Sequence, residues 1–212
     1  MNLFYKDWML ALHPTAAVFT MLGCLVIVPA YPYTMIFMFA CLGPYLSFLY
    51  SRETNDNWYS AILPVTKKQI VLSKCLFIAS LQLGQLFISV PFVFLRSFLN
   101  IPNNPVGIDA TIAWYGFGLI LFSLFDLIFL PSYYRSGYQA GKAFLLACPA
   151  ALIVMIFTEA SVHLSSFSWL DSSSPQDLVR QLPILLLGLI LYPLCMFFAF
   201  RISARRFENV DL

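Results

Sequence analysis

The stretch PILLLGLILYPLCMFFAF, residues 183–200, runs for eighteen positions without a charged side chain. As a helix it rises about 27 Å at roughly 1.5 Å per residue, close to the ~30 Å hydrocarbon core of a bilayer. Backbone in hydrocarbon has to satisfy its own N–H and C=O groups, so such a run reads as a transmembrane helix. Five further runs are of the same kind: 15–31, 33–50, 75–95, 110–130 and 142–159. Only the segment AYPY, residues 30–33, parts the first two, which predicts a tight helical hairpin. Composition agrees, with 60% of the 212 residues hydrophobic and 10% charged, where soluble domains average about 25% charged. The chain reads as an all-α integral membrane protein with six transmembrane helices, forming a single domain over 1–212.

Several function classes drop out. The longest segment between spans, 51–74, has 24 residues, and a soluble catalytic domain needs on the order of 50. GYQAGKA, 137–143, glances at a phosphate-binding loop, but its glycines are too close and Ala143 stands where Ser or Thr is required. His13 and His163 lie outside the apolar runs, and no H-E-x-x-H is present. Neither a catalytic site nor a nucleotide site is expected, and no cofactor bound by this chain. Cys24, Cys41, Cys75, Cys148 and Cys195 sit in or beside apolar runs without C-x-x-C spacing, as small buried hydrophobes do. MNLFYKDWMLALHP ahead of the first run, with five more runs behind it, suits a first span better than a cleaved signal.

Charge gives the orientation. With the N-terminus in the cytoplasm, the inner segments carry Lys6, Arg52, Lys67, Lys68, Lys74, Arg135, Lys142, Arg201, Arg205 and Arg206, and the outer ones only Arg96 and Arg180. That positive-inside bias puts both termini in the cytoplasm. The basic residues form no polybasic run, so no nucleic-acid partner is expected.

The most polar inner segment is RETNDNWYSAILPVTKKQIVLSK, residues 52–74. Pro64 divides it, removing a donor and pushing Leu63 out of helical geometry. After the break, Thr66 and Gln69 form a capping box that starts a helix running directly into the third span. Before it, Asn55 to Asn57 supply capping residues, and Trp58 with Ile62, and Tyr59 with Leu63, stand at i,i+4 on one or two helical turns. Such an aromatic face either lies among lipid headgroups or is a knob for another protein.

Polar groups at membrane depth are few. Asp126 lies about one turn inside the inner end of span four and needs a partner: Arg135, Lys142 or a neighbouring helix, unless it touches substrate. Gln82 and Gln85 share a face of span three and can hydrogen-bond across a helix interface or line a pathway. Glu159, at the outer end of span five, reads as solvated. Pro44, Pro91, Pro149 and Pro193 predict bends where neighbouring helices satisfy the freed carbonyls.

Taken in order, these features resemble the ABC-2 type permeases, especially the small six-span permeases of bacterial peptide and drug exporters. Glu53, Trp58, Leu63, Pro64, Val65, Thr66, Lys67, Ile70, Val71 and Lys74 match that family's loop between the second and third spans. Pro131, Tyr134, Arg135, Gly137 and Tyr138 match its second inner loop, and RISARRFENVDL its tail. The resemblance implies a type V exporter-like fold with an N-terminal interfacial elbow helix (1–14), a coupling helix in the cytoplasmic loop 51–74, a second cytoplasmic loop (132–142) and an extracellular loop (161–181). In the elbow, Leu3, Phe4, Trp8, Ala11 and Leu12 would face lipid, and Lys6 and Asp7 water. Phe167, Trp169 and Leu170 would dip into the outer interface as short re-entrant helices.

The resemblance further implies two ABC ATP-binding subunits carrying ATP and Mg, a second permease as homo- or heterodimer partner, and the bacterial cytoplasmic membrane as location. Glu53, Trp58, Tyr59, Ile62, Leu63 and Pro64 would dock in an ATPase groove, with Lys67, Lys68 and Lys74 holding the knob at the membrane face. Tyr134, Arg135, Gly137, Tyr138 and Lys142 would make a lesser contact. A scaffold or immunity protein that binds a toxin or membrane partner without transport is the competing reading.

Overall fold

A computed structural model describes residues 3–54, 56–136 and 139–208, apart from the side chains of Asn57, Trp58 and Ala61. Helix α1 (Leu3–Lys6) widens into a π turn, Asp7–Ala11. Helix α2 (Pro14–Met21) tightens into a 3-10 turn, Leu22–Ile27. There follow α3 (Met35–Glu53), α4 (Asp56–Ile62), α5 (Lys67–Phe98), α6 (Ile112–Arg135), α7 (Ala140–Val162), a 3-10 turn at Ser165–Leu170, and α8 (Pro175–Glu208). Among the described residues there is no strand.

Five of these helices, α3 and α5 to α8, are long and apolar enough to cross a bilayer. A sixth span is met only by taking Leu3–Ala11 with Pro14–Ile27, which are bent 98° to each other. The expected first span is therefore a short one. His13 Nδ1 accepts from Thr15 N at 3.2 Å and Pro14 takes the first helical position, so α2 starts sharply. At Gly23 a Cβ would come within 2.5 Å of the Gln85 carbonyl oxygen, so the tightened end of this span lies with its backbone against α5. The connection to α3 is tight, as AYPY predicts: Ala30 takes φ 65°, and the Tyr33 hydroxyl closes back on Val28 O at 3.1 Å.

The capping box forms as read, with Gln69 N donating to Thr66 Oγ1 at 3.3 Å and Thr66 N to Gln69 Oε1 at 2.9 Å. From that cap α5 continues for 32 residues, roughly 48 Å, so the expected span 75–95 is the middle of a longer rod.

Helix α6 is central: 67% of its most apolar stretch is buried, against 22% for α7 and α8. Rings fill the space around it, with Trp114 and Phe122 on Phe37, Phe129 and Tyr133 on Phe48, and Phe125 on Phe144. Its contact with α8 is made backbone to backbone. A Cβ on Gly188 would meet Gly116 O at 2.7 Å, and one on Gly116 would meet the Ile184 carbonyl carbon at 2.7 Å. Small residues let helices approach this closely where hydrocarbon supplies no hydrophobic drive to associate.

Gly188→Ala should therefore lower the thermal midpoint in mild detergent, and Gly188→Val more steeply, at about 1–3 kcal/mol or above for overpacking. Gly141→Ala, where a Cβ meets nothing within 4 Å, should show no loss. Equal midpoints for all three would mean the crossing is not tight.

Candidate functional site

Two lysines and two aspartates meet where α1, α4 and α5 converge. Lys6 Nζ lies 2.7 Å from Asp56 Oδ1, and Lys74 Nζ 2.6 Å from Asp56 Oδ2. Asp7 Oδ1 stands 2.9 Å from Lys74 and 3.2 Å from Lys6. Hydroxyls complete the shell: Ser60 accepts from Lys6 at 2.6 Å, Ser51 donates to Asp56 at 2.9 Å, and Ser73 donates to Asp7. None of the four charged residues is more than 3% exposed. Burying four charges costs several kcal/mol each, a cost offset because the signs cancel and serine hydroxyls bond several of the charged atoms, Asp7 Oδ1 being held by its ion pairs alone. Burial pushes the Asp56 carboxyl up, but the Lys74 and Lys6 ammoniums outweigh it and hold it below the ordinary carboxylate range.

This overturns the facing expected for the N-terminal helix, not the helix itself. Lys6 and Asp7 do not face water, and Ala11 is buried, while Trp8 and Leu12 pack on Ala16, Phe77 and Leu81. Tyr5, Met9 and Leu10 form the exposed face instead. The π turn at Asp7–Ala11 rotates the following side chains away from a 3.6-residue phase. Lys74, read as a surface cation, is held inside.

Helix α4 thus has its polar side inward, through Asp56 and Ser60, and turns Tyr59 (43% exposed) and Ile62 (62% exposed) outward. Glu53 and Pro64 are exposed and Leu63 is half-buried, just past the helix. Trp58 belongs to α4, but its side chain lies outside the described residues, as do Asn55, Gly137 and Tyr138 altogether. Lys68 pairs with Glu208 at 3.3 Å, and Lys67 donates to Glu208 O at 3.4 Å and lies over the Phe207 ring. On the second loop Arg135 and Lys142 are exposed, whereas Tyr134 is buried against Phe207 and does not reach the surface.

At mid-depth, the Tyr192 hydroxyl donates to Gln82 Oε1 at 2.7 Å, and Gln82 Nε2 donates to Asp126 Oδ1 at 3.0 Å. Asp126 is fully buried, and its partner is this glutamine of α5 rather than Arg135 or Lys142. Gln85 Nε2 donates to Phe19 O at 2.7 Å. One helical face of α5 thereby ties α6 and α8 on one side and α2 on the other. Sequence reasoning placed both glutamines on that face but missed Tyr192 and the charged cluster. Lys74 shares the stripe with Val71, Ile78, Gln82 and Gln85, and a cation in phase with buried residues signals a buried partner.

The far end carries a second polar clasp. Arg96 pairs with Asp109, donates to Pro102 O at 2.5 Å and lies over the Tyr33 ring. Asp109 N donates to Asp171 Oδ1 at 2.6 Å. Glu159 is not solvated as expected: it accepts from Ile108 N at 3.2 Å and from the Thr34 hydroxyl, joining three segments. In the turn Ser165–Leu170, Leu170 is buried, Trp169 half-buried and Phe167 exposed, so this loop is a short lid tied to the bundle. Burial, with the neighbouring Asp109 and Glu159 charges, pushes Asp171 up to about 6 against the pull of the Asp109 amide and Arg96.

Residues 2–204 match the family described as ABC-2 family transporter protein. No curated protein and no solved structure matches the chain.

Two outcomes follow from the clasps. Lys74→Met leaves Asp7 and Asp56 with one cation between them and should cost about 3–5 kcal/mol, read as faster amide exchange in 3–11 and 56–62; unchanged exchange would deny the cluster its role. At the far end the folded state binds the Asp171 proton more tightly than the unfolded chain does. Stability there is gained as pH falls through about 6 and lost as it rises. Amide exchange in 165–171, corrected for chemical rate, should slow between pH 7 and 5, and Asp171→Asn should remove that dependence.

Proposed function

The chain belongs to the ABC-2 family of transporter membrane proteins, and from that premise we propose that it is the permease subunit of an ATP-driven exporter. It is a multi-pass membrane protein, and its family works with ATPase partners in general. In this reading two ABC ATP-binding subunits carry the ATP and Mg, and a second permease, identical or not, completes the pathway. The chain hydrolyses nothing itself. Its cargo is amphipathic or hydrophobic, peptides foremost, moved outward across the bacterial cytoplasmic membrane with both termini in the cytoplasm.

The observation that carries the reading is the inverted polarity of α4. A helix resting on a protein ordinarily buries its apolar side, whereas α4 buries Asp56 and Ser60 and offers Tyr59 and Ile62 outward. An apolar aromatic face on a helix fixed from behind is what a docking knob needs, since exposed anchors are entropically cheap to bind when held rigidly. Glu53, Trp58, Leu63 and Pro64 flank or complete that knob; Lys67 and Lys68 border it. Arg135 and Lys142 offer the lesser contact on the second loop, with Tyr134 as its buried support.

Movement imposed on α4 by closing ATPases would pass through the ion cluster to α1 and α5. From α5 it would pass through Gln82 to Asp126 on α6 and Tyr192 on α8, and through Gln85 to α2. In this role Gln82, Gln85 and Asp126 are internal linkers rather than pathway lining.

Tyr59→Ala with Ile62→Ala should reduce the co-purifying ATP-binding subunit by at least about tenfold, the loss of roughly 1.4 kcal/mol or more, while the thermal midpoint stays unchanged. If the wild type brings no ATPase from cells expressing the neighbouring genes, or if the double variant retains it fully, the reading fails.

A further inference from the structure

Helices α5 and α8 diverge on the bundle surface and leave a groove of about 460 Å³ between them, floored by Leu119 of α6. Leu72, Leu76 and Ala79 form one wall, and Pro193, Phe197 and Phe200 the other. The hydroxyl of Tyr192, which also lines it, is turned inward to Gln82, so what the groove presents is hydrocarbon. Leu72, Leu76 and Phe197 are about half exposed at its lips, at 45%, 50% and 50%.

The groove is apolar along its length but charged at one mouth. Arg201 lies over the Phe197 ring, 5.1 Å from its centroid, and Arg205 follows one turn later on α8. Both are exposed and join no ion pair among the described residues. Across the mouth Lys68, one turn before Leu72, meets Glu208, which also accepts from Lys67 through its backbone oxygen. Among the described residues, Glu208 is the carboxylate at a mouth that also carries Arg201, Arg205 and Lys68. The opposite mouth, at Leu83 and Leu189, carries no charge among the described residues that line the groove.

We propose that this groove is a binding site for an anionic phospholipid of the leaflet on the α4 side, with one acyl chain between α5 and α8 and the phosphate at Arg201 and Arg205. Basic groups beside an apolar cleft at one membrane face recognise such head groups, and an acyl chain replaces contacts that a half-open cleft lacks. A second copy seated on the same patch about an axis along the bilayer normal would bring its own Arg201 and Arg205 alongside, like charge against like. The site is separate from the α4 knob and does not depend on what the permease carries.

The test is native mass spectrometry of the full chain released from bilayers of phosphatidylcholine and phosphatidylglycerol in equal parts. The wild type should retain phosphatidylglycerol selectively. Arg201→Gln with Arg205→Gln should lower that selectivity by about fivefold for each arginine, and Ala79→Phe, which fills the groove, should lose the retained lipid of both kinds. Both arginines are exposed and neither is in the buried core, so their replacement, which removes only the Arg201 contact with the Phe197 ring, decides the matter even where Ala79→Phe does not fold. Equal retention of the two lipids by the wild type would overturn the proposal, as would selectivity that survives the arginine replacements. So would efficient oxidative cross-linking of a Leu76→Cys variant to a second copy, since the groove would then be occupied by protein.

Discussion

Four charges buried together at the convergence of α1, α4 and α5 hold this protein's architecture at one end. Lys6, Asp7, Asp56 and Lys74 cancel in sign and share their hydrogen bonds with Ser51, Ser60 and Ser73. Remove any one, and a charge is left in a place where water cannot reach it. The N-terminal segment and α5, which also meet through Trp8 and Phe77, are thereby tied to α4 in a single geometry. The position of α4, and hence of every side chain it offers outward, is a consequence of that neutralisation. Replacing a buried ion cluster by apolar packing of equal volume is often neutral or stabilising; what the cluster fixes at this junction is the placement of a seven-residue helix.

Much of the fold was legible in the sequence because hydrocarbon leaves few alternatives. A helix is the only structure that an isolated apolar run can adopt there, so the later five spans, the Thr66–Gln69 cap and the tight AYPY turn all follow from local chemistry. The site was less legible, for two physical reasons. The N-terminal segment does not keep a 3.6-residue period, and the π turn at Asp7–Ala11 defeats any face assignment made on that assumption. The partners of Lys6 are also 50 and 54 residues away, and a single sequence carries no sign of such pairings beyond the phase of Lys74 on the buried stripe of α5. Glu159 escaped for a similar reason: its position at the end of a span suggests water, and its actual partners come from two loops distant in the chain.

The two ends of the bundle are built on different electrostatic terms. At the α4 end positive and negative charges balance, and the carboxyl of Asp56 is held low. At the far end Asp109, Asp171 and Glu159 gather around a single arginine, and Asp171 is held high. Mild acid therefore relieves repulsion in the second clasp, while the Asp56 carboxyl of the first is held in its charged form. The cytoplasm-facing and outward-facing assignments inferred from the basic residues would expose only the second clasp to the variable pH of the surroundings.

Helix α5 touches both clasps, through Lys74 near its start and Arg96 near its end, yet it is not one stiff rod. Pro91 stands between them and deprives the Phe87 carbonyl of its helical donor. In the proposed coupling, a displacement entering at Lys74 would pass Gln82 and Gln85 along a stretch of α5 that contains no proline. Beyond Phe87 it meets a compliant joint. The final turns, with Arg96, can hold station on the far loops while the shaft below them tilts, so the polypeptide contains its own universal joint, set less than a quarter of the helix from the end of α5 at Phe98.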